Sequence, residues 1–167
     1  SNNTAIGYFA LKENTTGNNN VGIGFEALKI NTTAVNNTAV GYQAMAFNTT
    51  GAYNCSFGRN ASTSNTTGEQ NSAFGNYTLY SATTASNNTA FGSGAGMNLT
   101  TGANNTLLGA YTGYGSVNLQ TGDNNIIIGY QAQGSSGTVD NEVTIGNTSI
   151  TKFRIPGINF VLKDTTA

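Results

Sequence analysis

The sequence predicts an all-β fold, a parallel β-solenoid (β-roll) of 17-residue repeats, and three observations support this prediction. A glycine closes a short apolar run at a fixed interval over most of the chain, and a fixed period of this size is typical of solenoids. Only 8% of the residues are charged, against roughly 25% in an average globular domain. The dipeptides Asn-Gly and Asp-Gly, which are the strongest short hairpin signals, do not occur, so successive strands are expected to coil in parallel.

The repeat is clearest in three consecutive units, residues 19–33 (NNVGIGFEALKINTT), 36–50 (NNTAVGYQAMAFNTT) and 53–67 (YNCSFGRNASTSNTT). The marker glycines are Gly7, Gly24, Gly41, Gly58, Gly75, Gly92, Gly109, Gly129 and Gly146. They are separated by six intervals of 17 residues, one of 20 and a last one of 17. An apolar residue precedes every one of them, which a disordered Asn- and Thr-rich linker would have no physical reason to maintain. These glycines are predicted to be structural.

Each 17-residue unit, called a rung below, begins with a strand that ends at the marker glycine. Residues 4–6, 38–40 and 126–128 are short, rich in β-branched side chains and bounded by Asn and Gly, as strands are. After the glycine, apolar residues three apart in segments 8–11 and 25–28 suit one helical or 3₁₀ turn. An Asn-Thr-Thr turn then leads to the next rung. Nine rungs stacked at the usual strand spacing form a rod on the order of 40 Å long.

Alternate strand residues point to opposite faces, and two rows follow from this. The side-chain volume of the Ile, Val, Leu or Phe before each marker glycine varies inversely with that of the residue after it. This compensation predicts that both residues share a packed core. The opposite row is small: Ala5, Gly22, Ala39, Ser56, Ala73 and Ala90. Small residues in a row indicate that another backbone approaches closely, and this row is therefore predicted to face a second chain.

An asparagine lies four residues before nearly every marker glycine. The row contains Asn3, Asn20, Asn37, Asn54, Asn71, Asn88, Asn105 and Asn125, and Glu142 takes the place of its last member. Stacked side-chain amides can hydrogen-bond from one rung to the next. We expect a structural role for this row.

The chain divides into residues 1–150, which carry the nine rungs, and residues 151–167, which lack the pattern and contain Pro156, the only proline. A solenoid must cover its last rung. The second segment is therefore expected to be a C-terminal cap or a transition to another fold.

The chain contains few side chains that are suited to catalysis. The chain has no histidine, which excludes His-dependent triads and metal sites. Asp123, Asp140 and Glu142 lie near the C-terminal rungs, where a glycosidase pair or a calcium site is conceivable, but solvated turn residues explain them. Cys55 is expected to be a small buried residue. We therefore expect no enzyme activity, catalytic residue, cofactor or metal.

The net charge of −1 gives no basic patch for nucleic acid, and no apolar run is long enough for membrane insertion. Saccharide sites commonly use exposed aromatic residues. The candidate glycan-binding residues are Tyr53, Tyr80, Tyr111 and Tyr114. The last two are favoured because the three-residue insertion after Gly109 makes the one loop that departs from the period.

The motif Asn-Asn-Thr-Ala-(Ile/Val)-Gly-Tyr-x-Ala-(Leu/Met) resembles repeats in the tail fibres of marine bacteriophages, and residues 142–160 resemble the stretch that ends such arrays. The chain is also similar to the β-roll head of trimeric autotransporter adhesins, which has a shorter repeat. These resemblances imply a homotrimeric fibre, located on a virion or on a cell surface, with a host saccharide or protein receptor as partner.

The function expected from the sequence is a structural and adhesive segment of such a trimeric fibre, which takes part in host attachment. Two alternatives remain open. The threonines Thr15, Thr32, Thr49, Thr66, Thr83 and Thr100 recur once per rung, as in an ice-binding β-solenoid whose hydroxyls order water. The other alternative is a polysaccharide-degrading β-helix that uses carboxylates such as Asp140.

Overall fold

The computed structural model describes residues 2–152 and 154. Within those residues the chain forms nine three-residue strands that make one sheet, in chain order and with every neighbouring pair parallel. The strands are Thr4–Ile6 (β1), Val21–Ile23 (β2), Thr38–Val40 (β3), Cys55–Phe57 (β4), Ser72–Phe74 (β5), Thr89–Phe91 (β6), Thr106–Leu108 (β7), Ile126–Ile128 (β8) and Val143–Ile145 (β9). The predicted all-β parallel solenoid with 17-residue spacing is confirmed.

Equivalent residues of successive rungs lie side by side in the sheet. Thr4 pairs with Val21 and Ile6 pairs with Ile23, each 17 residues further along the chain. Between β7 and β8 the interval is 20 residues, yet Thr106 still pairs with Ile126. The three-residue insertion is therefore accommodated in the loop, and the strand register is unchanged.

The segment after each marker glycine is a series of turns, so the predicted helical or 3₁₀ turn is wrong there. The second and fourth residues after the glycine have left-handed backbone angles, as at Glu26 (φ 55°) and Leu28 (φ 51°). The Leu28 amide donates to the Ala44 carbonyl of the next rung at 3.1 Å. Because much of this backbone hydrogen bonding runs between rungs, the segment has no need of a helical ladder.

The two strand faces are the reverse of those predicted. The middle residue of each internal strand is buried in the chain's own core: Gly22, Ala39, Ser56, Ala73, Ala90, Leu107 and Ile127. The row expected to face a second chain therefore lines the interior of the coil. The Ile, Val and Phe row expected to build the core points outward, and Ile6 and Phe91 are 58% and 57% exposed.

The interior holds small strand residues because larger side chains enter it from the turns. Leu28, Met45 and Leu79, each the fourth residue after a marker glycine, are fully buried. The middle strand residues of the same rungs are Gly22, Ala39 and Ala73, and a Cβ added at Gly22 would lie 3.3 Å from the side chain of Leu11, the fourth residue after Gly7. The coil is too narrow for a large residue at both positions, which explains the small row without a second chain.

The marker glycines are required by the next rung of the same chain. Gly75 has φ 140°, and a Cβ added there would lie 2.6 Å from the carbonyl oxygen of Gly92. Such an approach is far closer than van der Waals contact. The backbone that approaches the marker glycines therefore belongs to the following rung of the same chain.

The structure tests little of the segment 151–167. Residues 153 and 155–167 of the predicted cap lie outside the described residues. Thr151, Lys152 and Arg154 have no regular secondary structure.

Candidate interaction surfaces

The outward side of the sheet is a nearly uncharged apolar surface. We call it the sheet face and define it as the first and third residues of each strand together with the residue after each marker glycine. Of these residues only Arg59 is charged. Large exposed members are Ile6, Tyr8, Phe25, Tyr42, Phe57, Phe91, Leu108, Ile126, Tyr130, Val143 and Ile145. A contiguous exposed apolar surface of this kind is uncommon on soluble monomers.

Aromatic rings on the sheet face stack along the rod. The ring centroids of Phe25 and Tyr42 are 5.1 Å apart with an interplanar angle of 7°. On the other side of the marker glycines, Phe57 and Phe74 are 5.2 Å apart with an angle of 5°. The rings move from the position after the marker glycine to the position before it at the rung of Arg59. The Arg59 guanidinium lies 5.8 Å from the Tyr42 ring centroid.

The predicted asparagine row lies buried against the turns. The Asn37 side-chain oxygen accepts the backbone amide of Asn54 at 2.9 Å, and its side-chain nitrogen donates to the Gly51 carbonyl at 2.8 Å. The backbone amide of Asn37 in turn donates to the Asn20 side-chain oxygen at 3.0 Å. Each asparagine thus joins consecutive rungs through backbone groups, which gives these residues a structural part.

Glu142 ends this row and carries a stabilised carboxylate. Its backbone amide donates to the Asn125 side-chain oxygen at 2.9 Å. Hydrogen bonds from Ser135 and from the Thr144 hydroxyl lower the pKa of the Glu142 carboxyl below its ordinary value. The carboxylate therefore remains charged at neutral pH, and it serves to hold local structure.

A second asparagine ladder was missed by the sequence analysis. It consists of Asn14, Asn31, Asn48 and Asn65, the first residues of the Asn-Thr-Thr turns. The Asn48 side-chain nitrogen donates to the Asn31 side-chain oxygen at 2.9 Å and to the Gly51 carbonyl at 2.9 Å. The recurrence of Asn at a 17-residue interval could have revealed it, but the turn signal explained the same residues.

The threonine row uses its hydroxyl protons within the chain. The Thr49 hydroxyl donates to the Thr66 carbonyl at 2.9 Å, and Thr15, Thr32, Thr66, Thr83 and Thr100 make the equivalent bond to the next rung. These protons are consumed by the protein. Only the acceptor side of each hydroxyl remains for water.

The four candidate tyrosines do not form one site. Tyr111 and Tyr114 lie together at the insertion, with ring centroids 6.0 Å apart. Tyr80 lies edge-on against Tyr77 at 5.4 Å, and Tyr53 is the most exposed of the four. The structure brings together the pair favoured from the sequence and leaves the other two in separate rungs.

The remaining reactive side chains have local structural surroundings. Asp123 accepts the Ala103 amide at 2.7 Å, and Asp140 accepts the Asp123 amide at 2.7 Å. Cys55 is half-buried on the sheet face, outside the core where it was expected, and burial raises the pKa of its thiol. Among the described residues, no three His, Cys, Asp or Glu side chains come together as metal ligands would.

A cleft of about 510 Å³ lies at the C-terminal end of the solenoid. It is bordered by the insertion loop, by the turn after β8 and by the chain from β9 onward. The side chains of Gln131, Gln133 and Asn147 line it together with hydroxyl groups. Sequence analysis identified the insertion but none of these amides.

Comparisons with protein families, with curated protein sequences and with solved structures find no match to this chain. In the part of the chain that the structure describes, no helix is long and apolar enough to cross a bilayer.

Proposed function

We propose that this chain is a structural and adhesive segment of a homotrimeric fibre, exposed on a virion tail or on a cell surface, which takes part in host attachment. The observation that carries the proposal is the sheet face. It runs along all nine described strands and presents stacked rings and aliphatic side chains with a single charge. Burial of this apolar surface stabilises association by about 25 cal/mol per Å² before the costs of assembly.

The residues before and after the marker glycines compensate each other in side-chain volume, and this supports a partner surface that has the same repeat as the rungs. Rungs 1 to 3 carry a ring after the glycine and rungs 4 to 6 carry it before, so each of the six has a single ring on this face. These residues are exposed within one chain, so their volumes need to compensate each other only if another surface packs against them. A second copy, parallel and in register, has the required 17-residue repeat. Cyclic association buries the same rows in every copy, and the number three comes from the resemblance to trimeric fibres.

The proposal is tested by adding one charge to the sheet face. Phe91→Glu places a carboxylate where the partner would lie, and symmetry repeats it in every copy. We expect the parent to have the mass of a trimer in light scattering and Phe91→Glu to have the mass of a single chain. Phe91 is 57% exposed within one chain, so the variant should retain the parent's far-UV circular dichroism.

Thr101→Glu is the matched control, because it adds the same charge at an exposed turn position away from the sheet face. It should assemble like the parent. A monomeric parent, or a Phe91→Glu protein that still forms trimers, contradicts the proposal. Ala90→Phe would test the fold instead, since Ala90 is fully buried within one chain.

A further inference from the structure

The cleft at the C-terminal end of the solenoid is lined by uncharged polar groups. Its amides belong to Gln131, Gln133 and Asn147, and its hydroxyls belong to Ser116, Thr144 and Thr148. Two of these positions are apolar or small in the internal rungs. Gln133 is the fourth residue after its marker glycine, as Leu28 and Leu79 are, and Thr144 is the middle residue of β9; both are half-buried, whereas their counterparts Leu28, Leu79 and Ile127 are fully buried. The core of the solenoid thus gives way to a polar cavity at this end.

Gln133 holds the insertion loop over the cavity. Its side-chain oxygen accepts the Val117 amide at 2.8 Å and the Ser116 hydroxyl at 3.2 Å. Among the described residues, no acceptor lies within hydrogen-bond distance of the Gln133 side-chain nitrogen, and the Gln131 side chain makes no hydrogen bond. Gln131 is exposed and Gln133 is half-buried, so these amide groups are open to water and can be reached by a polar ligand.

The lining selects a neutral ligand. Among the described residues that line the cleft there is no Lys or Arg side chain, which anion binding would favour, and the nearby Glu142 carboxylate is already bonded to Ser135 and Thr144. Gln131 offers a donor and an acceptor side by side, as sugar hydroxyls require. Gln133 adds its side-chain nitrogen, and Asn147, already bonded to Tyr130 and Ser149, keeps one further donor and one further acceptor position. Tyr130, 61% exposed, adjoins Gln131 in the chain, and its carbonyl accepts a hydrogen bond from Asn147 at 2.9 Å.

We infer that this cleft binds a neutral saccharide unit, which is recognised through Gln131, Gln133 and Asn147. The inference rests on the adhesive role proposed above and specifies its ligand class and its place. The volume of about 510 Å³ falls within the range of small-molecule sites, roughly 300 to 1,000 Å³. The insertion, the one departure from the period between the strands, thereby acquires a purpose.

The experiment titrates the full chain with neutral hexoses, N-acetylhexosamines and their disaccharides, using saturation-transfer NMR followed by calorimetry. Gln131→Ala removes an amide that anchors nothing in the fold, and we expect Kd to rise about tenfold or more. Gln133→Leu restores the core residue of the internal rungs and should abolish binding. Gln43→Ala is the matched control, since Gln43 occupies the position of Gln131 in an internal rung, and it should bind like the parent.

Absence of binding across the whole panel overturns the inference. Binding that survives both glutamine substitutions but is lost in Tyr111→Ala plus Tyr114→Ala would place the saccharide on the tyrosine pair instead. Light scattering on the same samples separates the two proposals. A trimer without saccharide binding removes only the cleft, whereas a monomer that binds removes only the trimeric fibre.

Discussion

Single asparagine side chains join the rungs, and their contribution depends on their place in a ladder. Asn48 donates to the Asn31 side-chain oxygen and accepts from the Asn65 side-chain nitrogen at 2.7 Å. The next position is Ala82, so the ladder ends at Asn65. The Asn65 side-chain oxygen is buried without a hydrogen-bond partner among the described residues. An interior member and a terminal member therefore differ in what their removal leaves behind.

We expect Asn48→Ala to lower the free energy of unfolding by about 1 to 3 kcal/mol more than Asn65→Ala. Asn48→Ala leaves the Asn31 side-chain oxygen without a hydrogen-bond donor, in addition to the Asn65 side-chain oxygen, which already lacks one. Asn65→Ala removes one unpaired oxygen while it creates another on Asn48, so the number of buried unpaired oxygens is unchanged. Urea unfolding of both variants at one protein concentration measures the difference. Equal losses would show that the ladder bonds contribute little.

At the scale of one rung, the fourth rung interrupts the apolar core. Two buried clusters occur among the described residues. One contains Leu28 and Met45, and the other contains Leu79 and the larger residues that follow it. Between them the Ser56 and Ser62 hydroxyls hydrogen-bond to each other at 3.0 Å. The neighbouring rung has Ala73 and Leu79 at the same two positions, so the coil can accommodate an apolar pair.

The double variant Ser56→Ala plus Ser62→Leu should therefore raise the melting temperature and add about 1 to 2 kcal/mol to the free energy of unfolding. Ser62→Leu alone should gain less or should destabilise, because it leaves the buried Ser56 hydroxyl without its partner. A double-mutant cycle from thermal melts reports the coupling. A double variant less stable than the parent would mean that the fourth rung has no space for leucine.

At the scale of the molecule, each strand contacts only the strands before and after it in the part of the chain described. This nearest-neighbour arrangement makes the length of the rod adjustable. Strand pairs, both asparagine ladders and the marker glycines all repeat at 17 residues. Removal of one whole period therefore restores the strand register and both ladders one rung further along.

Deletion of residues 36–52 should give a shorter rod that still unfolds cooperatively. Its enthalpy of unfolding should be lower by about 12 kcal/mol, at roughly 0.7 kcal/mol per residue. Deletion of residues 36–53 is the control: it removes one residue more than a period, so the turn is too short to reach the strand register, and it should lose the cooperative transition. Differential scanning calorimetry compares the two. Loss of the transition in the first deletion would argue against independent rungs.

The sequence by itself determined the period, the places of the strands, their parallel order and the asparagine row that joins the rungs. These features depend on local signals repeated nine times, such as the apolar residue before each marker glycine. Repetition makes a weak signal strong. The insertion after Gly109 is also visible in the sequence, which favours Tyr111 and Tyr114 there as glycan-binding candidates, and that choice stays a prediction. Only the structure shows that the insertion borders a cleft lined by Gln131 and Gln133.

Only the tertiary structure decided which face of the sheet is inside. A three-residue strand shows that two faces exist, and the row with larger side chains is the natural choice for the core. The choice was wrong because Leu28, Met45 and Leu79 enter the interior from turns with left-handed backbone angles, which side-chain propensities do not reveal. Once those residues occupy the narrow coil, the strand positions facing them must be small. The large apolar row is then left outside, where it forms the sheet face.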